Sequence, residues 1–297
     1  MPDAVSLRPR DGSPLPDLGA RLVVGTCDVA GAGARALLGL VPSDGSPPPP
    51  AVELTLTGVG PRANDHPDAA PVFFPANDDV DAPAAAAPPA LALVRLTPDL
   101  SLLVVNRPAR VADEAALAYA VHAMATEAGC ESVVLAAAMR LDVGPGGEKN
   151  APRVYRFDLG GRSSSSSDPA ATGDDEESLP SGTNASSSSP SSFPRLPPLD
   201  PSARLNDGLV AALAHALRHG GPRATCVFAR GHAVPSVATD PRAEKSDAEA
   251  EAEETTRRLG EALAEGLGGC GYDAERTFRP RRTWRADIAR RDDRMYT

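Results

Sequence analysis

The residues that look most like chemistry are Gly31-Ala32-Gly33-Ala34-Arg35-Ala36. They match the loose dinucleotide pattern G-x-G-x-x-[GA], and Glu53 lies 20 residues after Gly33, where a ribose-binding acid would stand. A working fingerprint needs glycines that follow a strand directly and open a helix inside an unbroken strand-helix-strand unit. Here Gly25 to Ala30 separates the strand from the glycines, and Pro42 and Pro47 to Pro50 interrupt the unit before Glu53. In so Gly- and Ala-rich a chain, chance accounts better for the match than a cofactor. His215 and His219 have metal-pair spacing but no accompanying carboxylate motif, and they lie off the apolar stripe of their helix. His122 and Cys130 have no local feature that would make a nucleophile, and G-x-S-x-G is absent. No catalytic residue, cofactor or metal is therefore expected.

Two signals lie at the end of the sequence. Arg276, Arg279, Arg281, Arg282, Arg285, Arg290, Arg291 and Arg294 form a basic arm with Phe278 and Trp284, a combination that could meet phosphates and stack on bases. Asp287, Asp292 and Asp293 interrupt the arm, and it is attached to an acidic body. The sequence then finishes with Met295-Tyr296-Thr297, an apolar residue and a tyrosine beside a free carboxylate. Such an ending can insert two side chains in a pocket while a cation captures the carboxylate. These three residues are the expected partner contact.

The 297 residues carry a net charge of -10, which disfavours phosphate backbones and acidic membrane surfaces as partners of the body. Aromatic residues are only 4% of the chain, so a core must be built from Ala, Leu and Val. Cys27, Cys130, Cys226 and Cys270 are widely spaced and read as buried thiols in a reducing compartment. No apolar run approaches the roughly 20 residues that cross a bilayer, and Met1 to Leu18 lacks the apolar segment of a secretory signal.

The elements that must position these residues are readable from periodicity. Leu22 to Val24 and Val52 to Thr57 read as strands, and Leu91 to Leu96 with Leu100 to Asn106 as a hairpin about Thr97-Pro98-Asp99. Asp113 is expected to cap a helix ending at Gly129, with Val111, Ala115, Ala118, Val121 and Ala125 on its apolar face. A strand over Ser132 to Leu141 follows. Asp207 caps a helix to His219 with the stripe Leu209, Leu213, Leu217, then come a strand over Ala224 to Ala229 and a helix over Glu249 to Leu267. This order predicts an α/β fold with a mixed central sheet flanked by helices. Residues 1–275 read as a single α/β domain with disordered insertions at about 42–51, 60–90, 144–202 and 235–247, and residues 276–297 as a flexible tail.

Three segments together resemble the proteasome assembly chaperone 1 family. They are the stretch from Ser101-Leu102-Leu103-Val104-Val105 through Val111-Ala112-Asp113-Glu114 and Tyr119 to Val133-Val134-Leu135; Leu199 to Arg230, with Asn206-Asp207-Gly208-Leu209 and Cys226-Val227-Phe228; and the ending Met295-Tyr296-Thr297. The resemblance covers about a third of the chain. It implies a cofactor-free chaperone that pairs with a second, homologous subunit and binds the outer face of the 20S proteasome α-ring, promoting ring assembly. By that resemblance Met295 supplies an apolar contact, Tyr296 orders the pocket, and Thr297 offers its carboxylate to a lysine. It also implies a cytoplasmic location, with the nucleus as a second compartment. The competing readings are a dinucleotide-binding enzyme using the Gly31/Gly33 loop and a nucleic-acid-binding protein using the arginine arm.

Overall fold

A computed structural model describes residues 5–28, 31–46, 50–59, 73–74, 90–106, 109, 111–140, 154–159, 193–200, 203–231, 241–276 and 279–280. The strands are β1 (Ser6–Pro9), β2 (Arg21–Gly25), β3 (Leu40–Pro42), β4 (Val52–Thr57), β5 (Phe73–Phe74), β6 (Leu91–Thr97), β7 (Leu100–Val105), β8 (Ser132–Arg140), β9 (Val154–Leu159), β10 (Arg223–Gly231), β11 (Cys270–Tyr272) and β12 (Arg279–Pro280). The helices are α1 (Ala32–Leu38), α2 (Val111–Glu127), α3 (Gly208–Arg218) and α4 (Pro241–Leu267). Eight strands form one mixed sheet in the order β1-β4-β6-β7-β2-β8-β10-β9.

Its centre is the parallel block β7-β2-β8-β10. These strands are near-continuous apolar runs, as a sheet covered on both faces requires. In β7 every residue is buried, and in β8 Val133 to Met139 are all buried. One face packs Leu22, Val24, Leu103, Leu135 and Phe228 under α2 and α3. The other packs Val23, Leu102, Val104, Val134 and Val227 under α1 and α4. Successive side chains thus feed opposite cores.

The antiparallel flanks follow from local chemistry. Thr97-Pro98-Asp99 turns β6 into β7, as the sequence predicts. Asp207 accepts a hydrogen bond from the Val210 amide at 3.0 Å and caps α3, whose Leu209, Leu213 and Leu217 are buried. Gly129 ends α2 with φ 69°, the left-handed conformation that glycine adopts without strain.

Several expectations need correction. Asp113 lies in the first turn of α2, since the helix already begins at Val111. The face placed inward by periodicity is rotated. Val111 is 85% exposed and Ala115 is exposed, while Leu117, Ala120 and Met124 join Ala118, Val121 and Ala125 in the core. The insertion taken as 144–202 contains β9, which pairs antiparallel with β10. It also contains the described stretch 193–200, whose Phe193 and Leu199 are buried. That stretch covers the sheet edge: the Arg156 amide donates to the Pro197 carbonyl at 2.9 Å, and the Leu199 amide donates to the Arg156 carbonyl at 2.7 Å. Within the stretch 42–51, the Ser43 amide donates to the Gly269 carbonyl at 3.3 Å and Gly45 makes a turn. The stretch 235–247 overlaps α4, which Pro241 opens because a first-turn residue needs no amide hydrogen. β5 lies in the 60–90 stretch and pairs with β12 at the start of the expected tail. Residues 60–72, 75–89, 141–153, 160–192 and 232–240 lie outside the described residues.

Leu213→Ala should lower unfolding stability by about 2–5 kcal/mol, because it empties a fully buried site. Val111→Ala should stay within about 0.5 kcal/mol. Chemical denaturation beside the parent checks both, and the Val111 variant is the one that distinguishes the observed α2 orientation from the one periodicity suggests.

Candidate partner-binding site

Met295, Tyr296 and Thr297 lie outside the described residues, as do the arginines from Arg281 onward. The structure does define the root from which that arm leaves the fold. Gly268 (φ 64°) and Gly269 (φ 70°) turn the chain out of α4 in the left-handed conformation. The Arg21 guanidinium donates to the Leu267 carbonyl, placing a cation at the negative end of α4. β11 then pairs antiparallel with β3. The Tyr272 ring occupies a slot that two glycines leave open: a Cβ would stand 2.5 Å from it at Gly39 and 2.0 Å from it at Gly260. Burial pushes the Tyr272 hydroxyl well above the usual tyrosine range. The Asp273 amide donates to the Gly39 carbonyl at 2.8 Å, and the Glu275 amide to Asp273 Oδ1 at 3.0 Å, leading into the short turn Ala274–Arg276.

Arg35 lies beside this root on α1 and is only 2% exposed. Burial lowers its pKa, and the charges of Glu253 and Tyr272 work in the opposite direction. A guanidinium keeps its proton even so. Sequence periodicity gave no sign of this buried cation, because Arg35 sits in an Ala-rich run where polarity alone suggests solvent.

The Gly31/Gly33 pattern does different work from cofactor binding. Gly31 takes φ 61° at the start of α1, its amide donating to the Asp28 carbonyl at 2.9 Å. Gly33 lets α1 approach β8, since a Cβ there would lie 2.3 Å from the Ala136 carbonyl oxygen. Asp28, which the sequence did not single out, fills the space beyond β2. Its carboxylate accepts from the Ala138 amide at 2.7 Å, the Gly33 amide at 3.2 Å and the Thr26 hydroxyl at 3.3 Å. The Asp28 carboxyl takes up amides that a pyrophosphate would need. Glu53 is on β4, two strands removed from a neighbour of β2, and pairs with Arg10 at 2.7 Å. The dinucleotide fingerprint is thus a packing motif in this fold.

Asp28 has its pKa raised well above the usual aspartate value. Burial is the main cause. The Ala138 amide opposes it, the charge of Asp207 adds to it, and Gly33 and Thr26 oppose it in turn. Burial raises the Cys130 thiol, and that of Cys226 to about 12, so both remain protonated near neutrality. His122 Nε2 is 2.7 Å from the Gly220 carbonyl, and His215 and His219 meet edge to face with ring centres 4.3 Å apart. Among the described residues, no group of three or more His, Cys, Asp or Glu side chains could hold a metal. No described helix is long and apolar enough to cross a membrane.

No protein-family model matches the sequence, and no curated protein does. Solved structures do resemble the fold. They include PbaA of Pyrococcus furiosus, an archaeal homolog of proteasome-assembly chaperone, at 11% identity over 98% of this chain and 94% of that one, with a TM-score of 0.49. PbaB of the same organism, an archaeal proteasome activator, is 11% identical over 99% of this chain and all of that one, with a TM-score of 0.46. Likeness at this level transfers no activity, partner or residue role to this chain.

Two variants test the Asp28 site. Gly33→Ala should destabilise by about 1–3 kcal/mol, since backbone of β8 must move. For Asp28→Asn the readout is pH dependence. A carboxyl whose folded pKa is raised binds more protons folded than unfolded, so its contribution falls as pH rises above the ordinary aspartate value. The stability of Asp28→Asn relative to the parent should therefore improve from about pH 4 until the pH passes the raised folded pKa, and level off above it. A difference that is flat with pH would show Asp28 to be ionised throughout.

Proposed function

We propose that this protein is a proteasome assembly chaperone that pairs with a second chaperone subunit and engages the outer face of the 20S α-ring through Met295-Tyr296-Thr297. The observation that carries this reading is the terminal Met-Tyr-Thr on a basic arm, following the ordered segments 101–135 and 199–230 of an α/β fold. The likeness to PbaA and PbaB is in keeping with it but is too distant to bear weight. In this reading Met295 enters an apolar pocket, the Tyr296 ring packs across its mouth, and the Thr297 carboxylate meets a lysine. Arg281 to Arg294 bring the tail toward an acidic surface.

The fold suits that task by fixing where the arm starts. β11, the half-buried Tyr272 ring and the β5–β12 pairing hold the chain to Pro280. From there residues 281–297 can span at most about 60 Å, enough to reach past the chaperone's own body to a pocket on another protein. Holding one end of the arm raises the effective concentration of the motif once the body has docked. The chemistry needed is recognition alone, which suits a site with inert thiols and a phosphate position filled by Asp28. The reading places the protein in the cytoplasm or nucleus, where proteasomes assemble.

Affinity capture from cell extract tests it, using the full chain, a form lacking Met295 to Thr297, and Tyr296→Ala. The full chain should recover proteasome α subunits and a second α/β chaperone subunit. The truncation should lose the α subunits and keep the second subunit, and Tyr296→Ala should weaken α-subunit recovery by tenfold or more, on the order of a hot-spot side chain. Equal recovery by all three forms would remove the tail from the mechanism, and absence of α subunits throughout would remove the proteasome.

A further inference from the structure

Beyond α4 the chain is held to the body by one short ladder and one aromatic ring. β11 and β3 are three residues each and form a two-stranded sheet apart from the eight-stranded one. A ladder of that size is marginal in water by itself. Opposite Cys270 stands Pro42, which has no amide hydrogen to give to the pairing. One backbone bond flanks the ladder on each side, from the Ser43 amide to the Gly269 carbonyl at 3.3 Å and from the Asp273 amide to the Gly39 carbonyl at 2.8 Å. The Tyr272 ring supplements these bonds, and it fits between α1 and α4 because Gly39 and Gly260 lack side chains. Its hydroxyl, however, is buried with no hydrogen-bond partner. A phenol left dry and unpaired favours any arrangement that returns it to water. The chain also has a pivot at hand. A Cβ at Gly268 or Gly269 would meet nothing within 4 Å, so no packing fixes the left-handed pair.

We propose that β11 and Tyr272 form a releasable clasp. The segment from Gly269 to Arg276 swings out about Gly268 and Gly269 while the rest of the fold stays closed. Opening breaks no pairing of the eight-stranded sheet, so it is an event separate from unfolding. It returns the Tyr272 hydroxyl to water and moves the root of the C-terminal arm back to the end of α4. Among the described residues, the two-residue pairing of β12 with β5 is then what catches the chain again. Opening also uncovers a thiol. Cys270 is buried in the apolar cluster that holds Leu259, Leu263 and Leu267 of α4. Burial raises that thiol above the usual cysteine value, against the pull of the Arg21 charge, so the closed form is slow to react. Cys270 thus reports whether the clasp is open.

Iodoacetamide labelling of the purified full chain tests this, with each cysteine followed by peptide mapping as its thiolate displaces iodide. Cys226, fully buried within β10, reports global unfolding in the same sample. In the parent, Cys270 should label about 100-fold faster than Cys226 or more. Tyr272→Phe keeps the ring and removes the stranded hydroxyl, so Cys270 labelling should slow about fivefold or more. Gly260→Ala sets a Cβ 2.0 Å from the ring, so Cys270 labelling should speed about tenfold or more. Alanine also suits the interior of α4 better than glycine, so Cys226 labelling should not rise with it. A parent in which Cys270 and Cys226 label at one rate overturns the proposal, because the segment then opens only with the whole fold. So does a Tyr272→Phe chain whose Cys270 labels at the parent rate or faster, or a Gly260→Ala chain in which both cysteines speed alike. What the terminal tail binds enters none of these measurements, so they stand or fall apart from the proteasome reading.

Discussion

Burial of the block β7-β2-β8-β10 on both faces is the constraint from which the rest follows. Four adjacent parallel strands expose apolar side chains above and below, and neither surface can be left to water. Parallel connections require crossovers, and those here supply most of the cover: α2 and α3 on one face and α1 on the other, where α4, which follows β10, completes it. Close contact on the α1 side is possible because Gly33 lets the helix backbone nearly touch β8. Asp28 ties the same three elements together by accepting from the amides of α1 and β8 while sitting at the end of β2. Its burial costs ionisation free energy, offset in part by those donors.

Such a sheet leaves ligand chemistry little room. In open α/β folds the crevice beyond the carboxyl ends of the strands is the usual ligand position. Here that position beyond β2 is taken by a carboxylate already engaged with the protein's own amides. The glycines that resemble a phosphate loop are committed to helix packing and to the turn that precedes it. Recognition falls instead to features outside that crevice, of which the basic arm finishing in Met-Tyr-Thr has the most unusual composition.

The sequence made the α/β class, the β6–β7 hairpin, the Asp207 cap and the glycine helix stops legible because each depends on a few neighbouring residues. It was less informative where the outcome depends on distant ones. In α2 nearly every position is Ala or another apolar residue, so periodicity could not fix which side faces the sheet, and Val111 and Ala115 fell outward. β9 was hidden because it lies within a polar, low-complexity stretch, with Arg156 and Asp158 on one side of an edge strand. β1 is short and ends in Pro9, which reads as loop. Asp28 and Arg35 were silent because a buried charge is explained only by partners brought in by the fold. The terminal motif is the opposite case, since its chemistry is local and can be read without the fold, while its partner cannot.

The capped edge at β9 also says something about how this protein can change length. Leu159 and Phe193 bound the segment 160–192, and both of its flanks are pinned to the body by sheet pairing or burial. For a flexible chain held at two fixed points the entropy of closure grows only with the logarithm of the number of residues between them, so doubling that number costs about 0.6 kcal/mol. Adding residues between those two flanks should therefore change stability little. For the same reason, this junction is a natural place to graft a fluorescent domain or an affinity handle while leaving the terminal arm untouched.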